Sequence, residues 1–186
     1  MIDDLAWKRF DEAFQRFADS PTSTTVFRWE GHQHYAIDCD EPSLVAYRTG
    51  GARPERSVRT SPWLARIAAS TLAGKEWHRV RGVVEPLSEY TRWEMLGYVE
   101  SQAAGEQIRV ARNLDGPEDF WVFNGRRPAD RHAIVMHYDS SGSPIELEPI
   151  SDAASVSSML LLSSTMAMRA VGLNEYLSTI GASGAA

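Results

Sequence analysis

Two arginines lie two residues apart in the segment WHRVRGVV, residues 77–84, where alternating polar and apolar residues predict a β-strand. Side chains two apart on a strand point the same way, so Arg79 and Arg81 share one face of the predicted sheet. A guanidinium group matches a carboxylate or phosphate bidentately, so this face could bind an anion. Because most strand arginines are solvated or paired, we favour a polar face or an ion-pair network over a ligand site. The acids considered for pairing are Glu85, Glu94 and Glu106.

A second group of arginines falls in the segment YRTGGARPERSVRT, residues 47–60. Its glycines and proline predict a loop over residues 49–62, and Glu55 is the single acid among the arginines. We expect this loop to be exposed and mobile. It could bind a phosphate, a nucleic-acid backbone or an acidic partner, and the alternative is an ordinary solvated loop. The arginines concerned are Arg48, Arg53, Arg56 and Arg59.

Two histidines and one cysteine raise the question of metal or nucleophilic chemistry. His32 and His34 point to the same face if their segment is a strand, which is a geometry that zinc sites use. No third ligand at a defined spacing is readable, so we predict no metal and no other cofactor. Cys39 lies between two aspartates that disfavour a thiolate, so we predict an incidental role for it. A single cysteine suits a reducing cytosol.

The acid–base candidates do not form a triad or a carboxylate dyad with readable spacing. They are Glu85, Glu94, Glu106, Asp119 and His137. We therefore favour a protein that is not an enzyme. The alternative is a small enzyme that acts on a phosphate- or carboxylate-bearing substrate, or on a nucleic-acid end, through an arginine-lined site.

The composition is that of a globular protein. The chain has 186 residues, of which 43% are hydrophobic and 24% charged. Its net charge of −6 argues against binding nucleic acid through a basic surface. Residues 1–17 are charged and helical in pattern, unlike a signal peptide, so we expect a cytoplasmic protein with no membrane association.

The order of predicted elements indicates an α+β fold. Closely spaced strands predict hairpins in a mostly antiparallel sheet, with N-terminal, central and long C-terminal helices packed on it. We expect a single α+β domain over residues 1–181 and a flexible C-terminal tail at 182–186. The predicted helices are residues 2–19, 63–72, 89–103 and 152–180, the last bent at Gly172. The predicted strands are residues 24–30, 34–38, 77–84, 108–113, 119–123, 132–138 and 144–150.

The predicted C-terminal helix has an unusual composition. Residues 153–168 carry no charge, six of the sixteen are serine or threonine, and the segment is too short to span a bilayer. Apolar residues surround much of its circumference, so more than one face must be covered. A central core helix and a helix that faces a second subunit or partner both satisfy this. We predict a homodimer or partner interface at residues 159–173.

Four segments carry a resemblance to a known family: RVRGVVEPLSEYTRWE, GEQIRVAR, DFWVFNG and MHYDSSG. Together they resemble an actinobacterial, Streptomyces-type family of small proteins of unknown function, commonly encoded beside helix-turn-helix regulators. The resemblance covers roughly residues 10–143. It implies a bacterial cytoplasmic protein that works with such a regulator.

The expected function is therefore a cytoplasmic regulatory or interaction module. It would bind a protein partner, with a helix-turn-helix regulator as the candidate, and a small anionic ligand. The candidate ligand-binding residues are Arg79, Arg81, Tyr90, Glu94, Arg109, Trp121 and His137.

Overall fold

The computed structural model describes residues 2–38, 40–114 and 116–183. Cys39 and residues 184–186 of the predicted tail lie outside this part of the chain. Within it the helices are α1 (Asp4–Asp19), α2 (Pro42–Thr49), α3 (Pro62–Leu72), α4 (Glu89–Ala103), α5 (Ala153–Met168) and α6 (Leu173–Ser183). The strands are β1 (Ser23–Glu30), β2 (Glu76–Val83), β3 (Glu106–Arg112), β4 (Asp119–Gly125), β5 (His132–Tyr138), β6 (Pro144–Ile150) and β7 (Val171–Gly172).

The strands form one sheet in the order β6-β5-β4-β1-β2-β3-β7. β1, β2 and β3 are mutually parallel, and the other four pairings are antiparallel. The expected α+β class and mostly antiparallel sheet are thus confirmed. The expected hairpin after β1 is wrong, because β1 pairs with β2 in parallel and the chain between them crosses over through α2 and α3.

Two predicted elements need correction, and one helix was missed. Residues 34–38 form no strand, because this segment belongs to the crossover; its Ala36 N–H donates to the carbonyl of Gly142. α2 was not predicted; Glu41 caps it by accepting from the Leu44 N–H. The long C-terminal helix ends at Met168, where the two-residue strand β7 pairs with β3 before α6 begins.

The face of the sheet beneath α1 and α3 holds an aromatic core. Phe14 of α1 lies at its centre, fully buried. Its ring centroid is 4.9 Å from that of Trp121, 5.0 Å from that of Phe123 and 5.7 Å from that of Trp77. The helical spacing of the phenylalanines in α1 therefore directs one apolar stripe onto two strands, β2 and β4.

α5 covers the opposite face of the sheet. Its Val156 and Met166 are buried in a cluster with strand residues that include Trp29. The outer side of α5 is exposed, with Leu161 and Met168 more than 70% accessible. The alternative of a central core helix is therefore wrong for the single chain, and the interface at residues 159–173 stays a prediction.

His132 of β5 lies under α1, stacked on Phe123 at 4.4 Å between ring centroids. Both ring nitrogens are buried and have no hydrogen-bond partner in the described residues. Burial and the nearby Arg16 lower the pKa of His132 from 6.5 to about 4, against the opposing influence of Asp130. The native state therefore keeps this imidazole neutral.

This depressed pKa predicts an acid-sensitive stability. Above pH 6.5 both folded and unfolded states hold His132 neutral, whereas between pH 6.5 and 4 the unfolded state binds the proton first, so stability falls as pH falls. With allowance for the ring's partial exposure, we expect a loss of about 2 kcal/mol. Urea unfolding at pH 7 and pH 4 measures it. The His132→Phe variant should lose about 2 kcal/mol less over the same interval, and an equal loss in both proteins would contradict this assignment.

Candidate functional site

Charged side chains occupy one face of the three parallel strands, next to the aromatic core. The register places Arg28 of β1 beside Arg79 of β2, and Glu30 beside Arg81. Arg79 Nη1 lies 2.7 Å from Glu30 Oε2, and its Nε lies 2.8 Å from Glu106 Oε1 on β3. Arg28 Nε lies 2.6 Å from Glu30 Oε1. The period of two along parallel strands thus assembles a buried ion-pair network.

Arg81 is fully buried and ties the network to α4. Its Nε donates to Glu94 Oε2 at 2.9 Å, and its Nη1 donates to three backbone carbonyls, those of Glu30, His32 and Gly82. The predicted pairing of the two strand arginines with Glu94 and Glu106 is confirmed. Glu85, the third acid considered, contacts Arg112 instead.

The pKa values of two acids in the network, Glu30 and Glu94, are shifted in opposite directions. Burial raises the pKa of Glu30, but Arg28 and Arg79 outweigh burial and lower that pKa to about 2. Tyr98 also donates its hydroxyl to Glu30 at 2.8 Å. Burial raises the pKa of Glu94 above its ordinary value despite the Arg81 guanidinium. Glu30 is therefore a fixed negative charge, and Glu94 is the acid that takes up a proton more readily.

A cleft of about 380 Å³ opens above this network. We call it the arginine cleft. Its cationic lining residues are Arg28, Arg53, Arg56 and Arg79. The rest of its wall comes from Glu41, Ser43, Trp63, Tyr90, Trp93, Glu94, Gly97, Tyr98 and Ser101. The volume falls within the usual range for small-molecule sites, and the mix of aromatic faces with a few charged groups is typical of them.

Two arginines of the predicted mobile loop form the outer wall of the arginine cleft. Arg53 and Arg56 both contact Glu100 of α4, at 2.8 and 3.1 Å, and Arg56 also donates to the carbonyl of Gly97. Their side chains are partly buried, so the expectation of full exposure is wrong for these two. Within the described residues they share one carboxylate, and the buried Nη1 of Arg53 has no partner. Glu100 alone does not neutralise both arginines, and Glu41, whose charge interacts with Arg53, supplies the second negative charge at the cleft mouth.

The structure brings together only some of the predicted ligand residues. Arg79, Tyr90 and Glu94 line the arginine cleft, and Tyr90 donates its hydroxyl to Glu94 at 3.2 Å. Trp121 lies behind the cleft, with the Arg28 guanidinium 4.7 Å from its ring centroid. Arg81 is enclosed by its own partners.

The remaining predicted residues lie elsewhere. Arg109 points to the α5 side of the sheet and donates to the carbonyl of Ala170. His137 contacts Glu148 of β6. Arg48 pairs with Glu89, and Arg59 pairs with Glu55 at the surface. These four residues do not contribute to the arginine cleft.

Sequence reasoning missed Arg28, Trp63 and Trp93 as cleft residues. Arg28 and Glu30 alternate on β1 as Arg79 and Arg81 do on β2, so a period-two signal was present. The two tryptophans had no local signal, because two separate crossovers bring them to the cleft: Trp63 lies in α3 between β1 and β2, and Trp93 lies in α4 between β2 and β3.

The two histidines considered as metal ligands pack against tyrosines. His32 stacks on Tyr138 at 5.2 Å, and His34 packs against Tyr90 at 4.7 Å. Across residues 2–38, 40–114 and 116–183, no three side chains of His, Cys, Asp or Glu come together as metal ligands. The helices of this same part of the chain include none long and apolar enough to cross a bilayer.

Comparison with known proteins identifies a family for the chain. No curated protein and no solved structure matches it significantly. A family model described as "Domain of unknown function (DUF6879)" matches residues 9–178. That match covers the sheet, the arginine cleft and most of α6. The chain therefore belongs to the DUF6879 family.

Proposed function

We propose that this protein is a binding module that holds a small anionic ligand in the arginine cleft and transmits its occupancy to a protein partner. The observation that carries the proposal is the shared carboxylate at the cleft mouth. Glu100 serves both Arg53 and Arg56, and the buried Arg53 Nη1 is left without a partner. Glu100 takes both Nε and Nη2 of Arg53 but contacts Arg56 through Nη1 alone, so a ligand carboxylate or phosphate can accept from the remaining donors of Arg56 as well as from Arg53 Nη1.

The acids at the cleft are compatible with an anion. Glu41 faces it, but its carboxylate already accepts from the Ser43 hydroxyl and the Leu44 N–H. Glu94 has a raised pKa, which weakens its repulsion of an anion. The deeper arginines are matched by Glu30 and Glu106. The unpartnered Nη1 of Arg53 therefore supports an anion at the mouth, with aromatic walls available for an attached ring.

The partner half of the proposal rests on two features. The resemblance implies a helix-turn-helix regulator in a bacterial cytoplasm, which we retain as the candidate partner. The outer side of α5, uncharged and carrying the exposed Leu161 and Met168, supports a homodimer or partner contact at residues 159–173. Ligand binding and partner binding then use opposite faces of one sheet.

A second candidate function has one observation in its favour. Glu94 combines a raised pKa with a position in an arginine-lined cleft, an arrangement suited to general acid–base catalysis on a phosphate- or carboxylate-bearing substrate or a nucleic-acid end. Hydrolysis of phenyl phosphate that is lost in Glu94→Gln, while phenyl phosphate still binds, would favour this enzyme over the binding module.

Calorimetric titration with phenyl phosphate tests the proposal, because this probe joins an anion to an aromatic ring. We expect saturable binding by the wild type that weakens as salt rises. The double variant Arg53→Gln, Arg56→Gln should weaken that binding about tenfold or more, since each removes a charge-assisted contact.

The matched control is the double variant Arg48→Gln, Arg59→Gln, which removes the same charge from neighbouring arginines outside the cleft. It should bind phenyl phosphate as the wild type does. Binding that drops equally in both double variants would assign the effect to general surface charge. Absence of saturable binding by phenyl phosphate and by inorganic phosphate would contradict the anion site.

A further inference from the structure

A second concave site lies far from the arginine cleft, between α1 and the edge of the sheet. It is a groove of about 230 Å³ whose floor is apolar, formed by residues such as Phe10, Ile134 and Leu147. α1 packs over β4, where Phe14 meets Trp121, and leaves the surface of β5 and β6 partly uncovered. We call this the edge groove. Nothing in the proposed function uses it.

The rim of the edge groove is cationic. Arg9 and Arg16 line it from α1, both exposed, and neither pairs with an acid within the described part of the chain. They lie two helical turns apart, about 10 Å along the axis, so they flank the groove on one side. Glu12 lies between them on the same rim. In a chain of net charge −6, this groove carries an excess of positive charge.

The wall of the groove also includes His132, whose ring nitrogens make no hydrogen bond within the described residues. The imidazole lies flat on Phe123, and its buried nitrogens have no partner in the described residues. The ring is only partly buried and forms part of the groove wall, but its nitrogens have almost no accessible surface and do not open onto the groove. His132 therefore reports on the occupancy of the groove and does not bind the ligand.

We propose that the edge groove binds a small monocarboxylate with an apolar body, which lies on the floor while its carboxylate meets Arg9 and Arg16 at the rim. The volume of the groove limits the size of the ligand. At about 30 Å³ per water molecule the groove holds roughly eight waters, which corresponds to a ligand of about eight to ten non-hydrogen atoms. An apolar floor of this size excludes a polar sugar or a nucleotide, and the rim disfavours a cation.

Hexanoate is the probe, and hexan-1-ol is its uncharged counterpart of nearly the same shape. Nitrogen-15 NMR of the uniformly labelled protein follows the His132 ring and the amides of Ala13 and Ile134. We expect hexanoate to shift these signals saturably and to bind about tenfold more tightly than hexan-1-ol, because the arginines recognise the carboxylate. Equal affinities of the acid and the alcohol would overturn the anionic part of the proposal.

Three variants complete the test. Ala6→Phe fills the groove and should abolish the shifts from both probes, whereas the double variant Arg9→Gln, Arg16→Gln should reduce hexanoate to the affinity of hexan-1-ol. Lys8→Gln changes an exposed charge on the same helix outside the groove and should change nothing. If circular dichroism shows that Ala6→Phe folds poorly, the double variant Arg9→Gln, Arg16→Gln alone tests the site. The site is refuted if the double variant binds hexanoate as tightly as the wild type does. It is also refuted if hexanoate causes no saturable shift of the wild-type signals.

Discussion

Replacing Glu30 by alanine is expected to lower the free energy of unfolding by about 3–5 kcal/mol, because it leaves buried cations without their counter-charge. Glu30 is 3% accessible and contacts Arg28, Arg79 and the Tyr98 hydroxyl. Arg79 and Tyr98 are buried and the Arg28 side chain is 15% exposed, so little water reaches these groups to replace the carboxylate. Chemical denaturation monitored by tryptophan fluorescence measures the change.

The matched control for this prediction is Glu55→Ala. Glu55 also pairs with an arginine, Arg59, but both side chains are more than half exposed. Exposed pairs contribute between 0 and about 1 kcal/mol, so this variant should unfold nearly as the wild type does. A loss of less than about 1 kcal/mol for Glu30→Ala would show that the buried network is not what fixes the three parallel strands.

Phe14→Ala is expected to destabilise the protein by about 3–5 kcal/mol through the cavity it opens. The ring is fully enclosed and contacts aromatic side chains from β2 and β4 as well as Trp63 of α3. Rigid strand residues on one side and α3 on the other leave little scope for collapse into the space. Thermal and urea unfolding measure the loss.

Leu72→Ala serves as the comparison for Phe14→Ala. Leu72 ends α3 and is 90% accessible, so its removal should change stability by less than about 0.5 kcal/mol. A small effect of Phe14→Ala, similar to that of Leu72→Ala, would mean that α1 is not anchored in the core through this residue.

Periodicity and residue type together predicted most of the elements. α1 follows the expected helical spacing and β3 the expected alternation, whereas β2 and β4 are buried on both faces and were recognised by their β-branched and aromatic residues. α2 was missed because eight residues carry too few apolar positions for a pattern. The break after Met168 was missed because β7 has only two residues and exists through its pairing with β3. Sheet order was also hidden, since the rule that neighbouring strands form hairpins failed at β1 and β2.

The arginine cleft was predicted in part. Arg79, Tyr90 and Glu94 stand in elements whose type and direction were correct, so their shared location followed. Arg53 and Arg56 were assigned to a free loop, because their partner Glu100 is distant in sequence and nothing local indicates the contact. Arg109 and His137 were misplaced relative to the cleft for a related reason: alternation shows that a side chain changes face, but not which face holds a site.

The position of β1 has a consequence for how the protein is made. β1 is synthesised first, yet its partner on one side, β4, follows only after β2 and β3; Val26, for example, pairs with Phe123. At ribosomal speeds of about 5–20 residues per second, β1 waits about 5–20 s with an unpaired strand edge. Such an edge pairs readily with other chains, which makes it a target for holding chaperones. Within the meander β4–β5–β6, each strand pairs with the next one in sequence. The meander can therefore form first and then pair with the free edge of β1 as one unit.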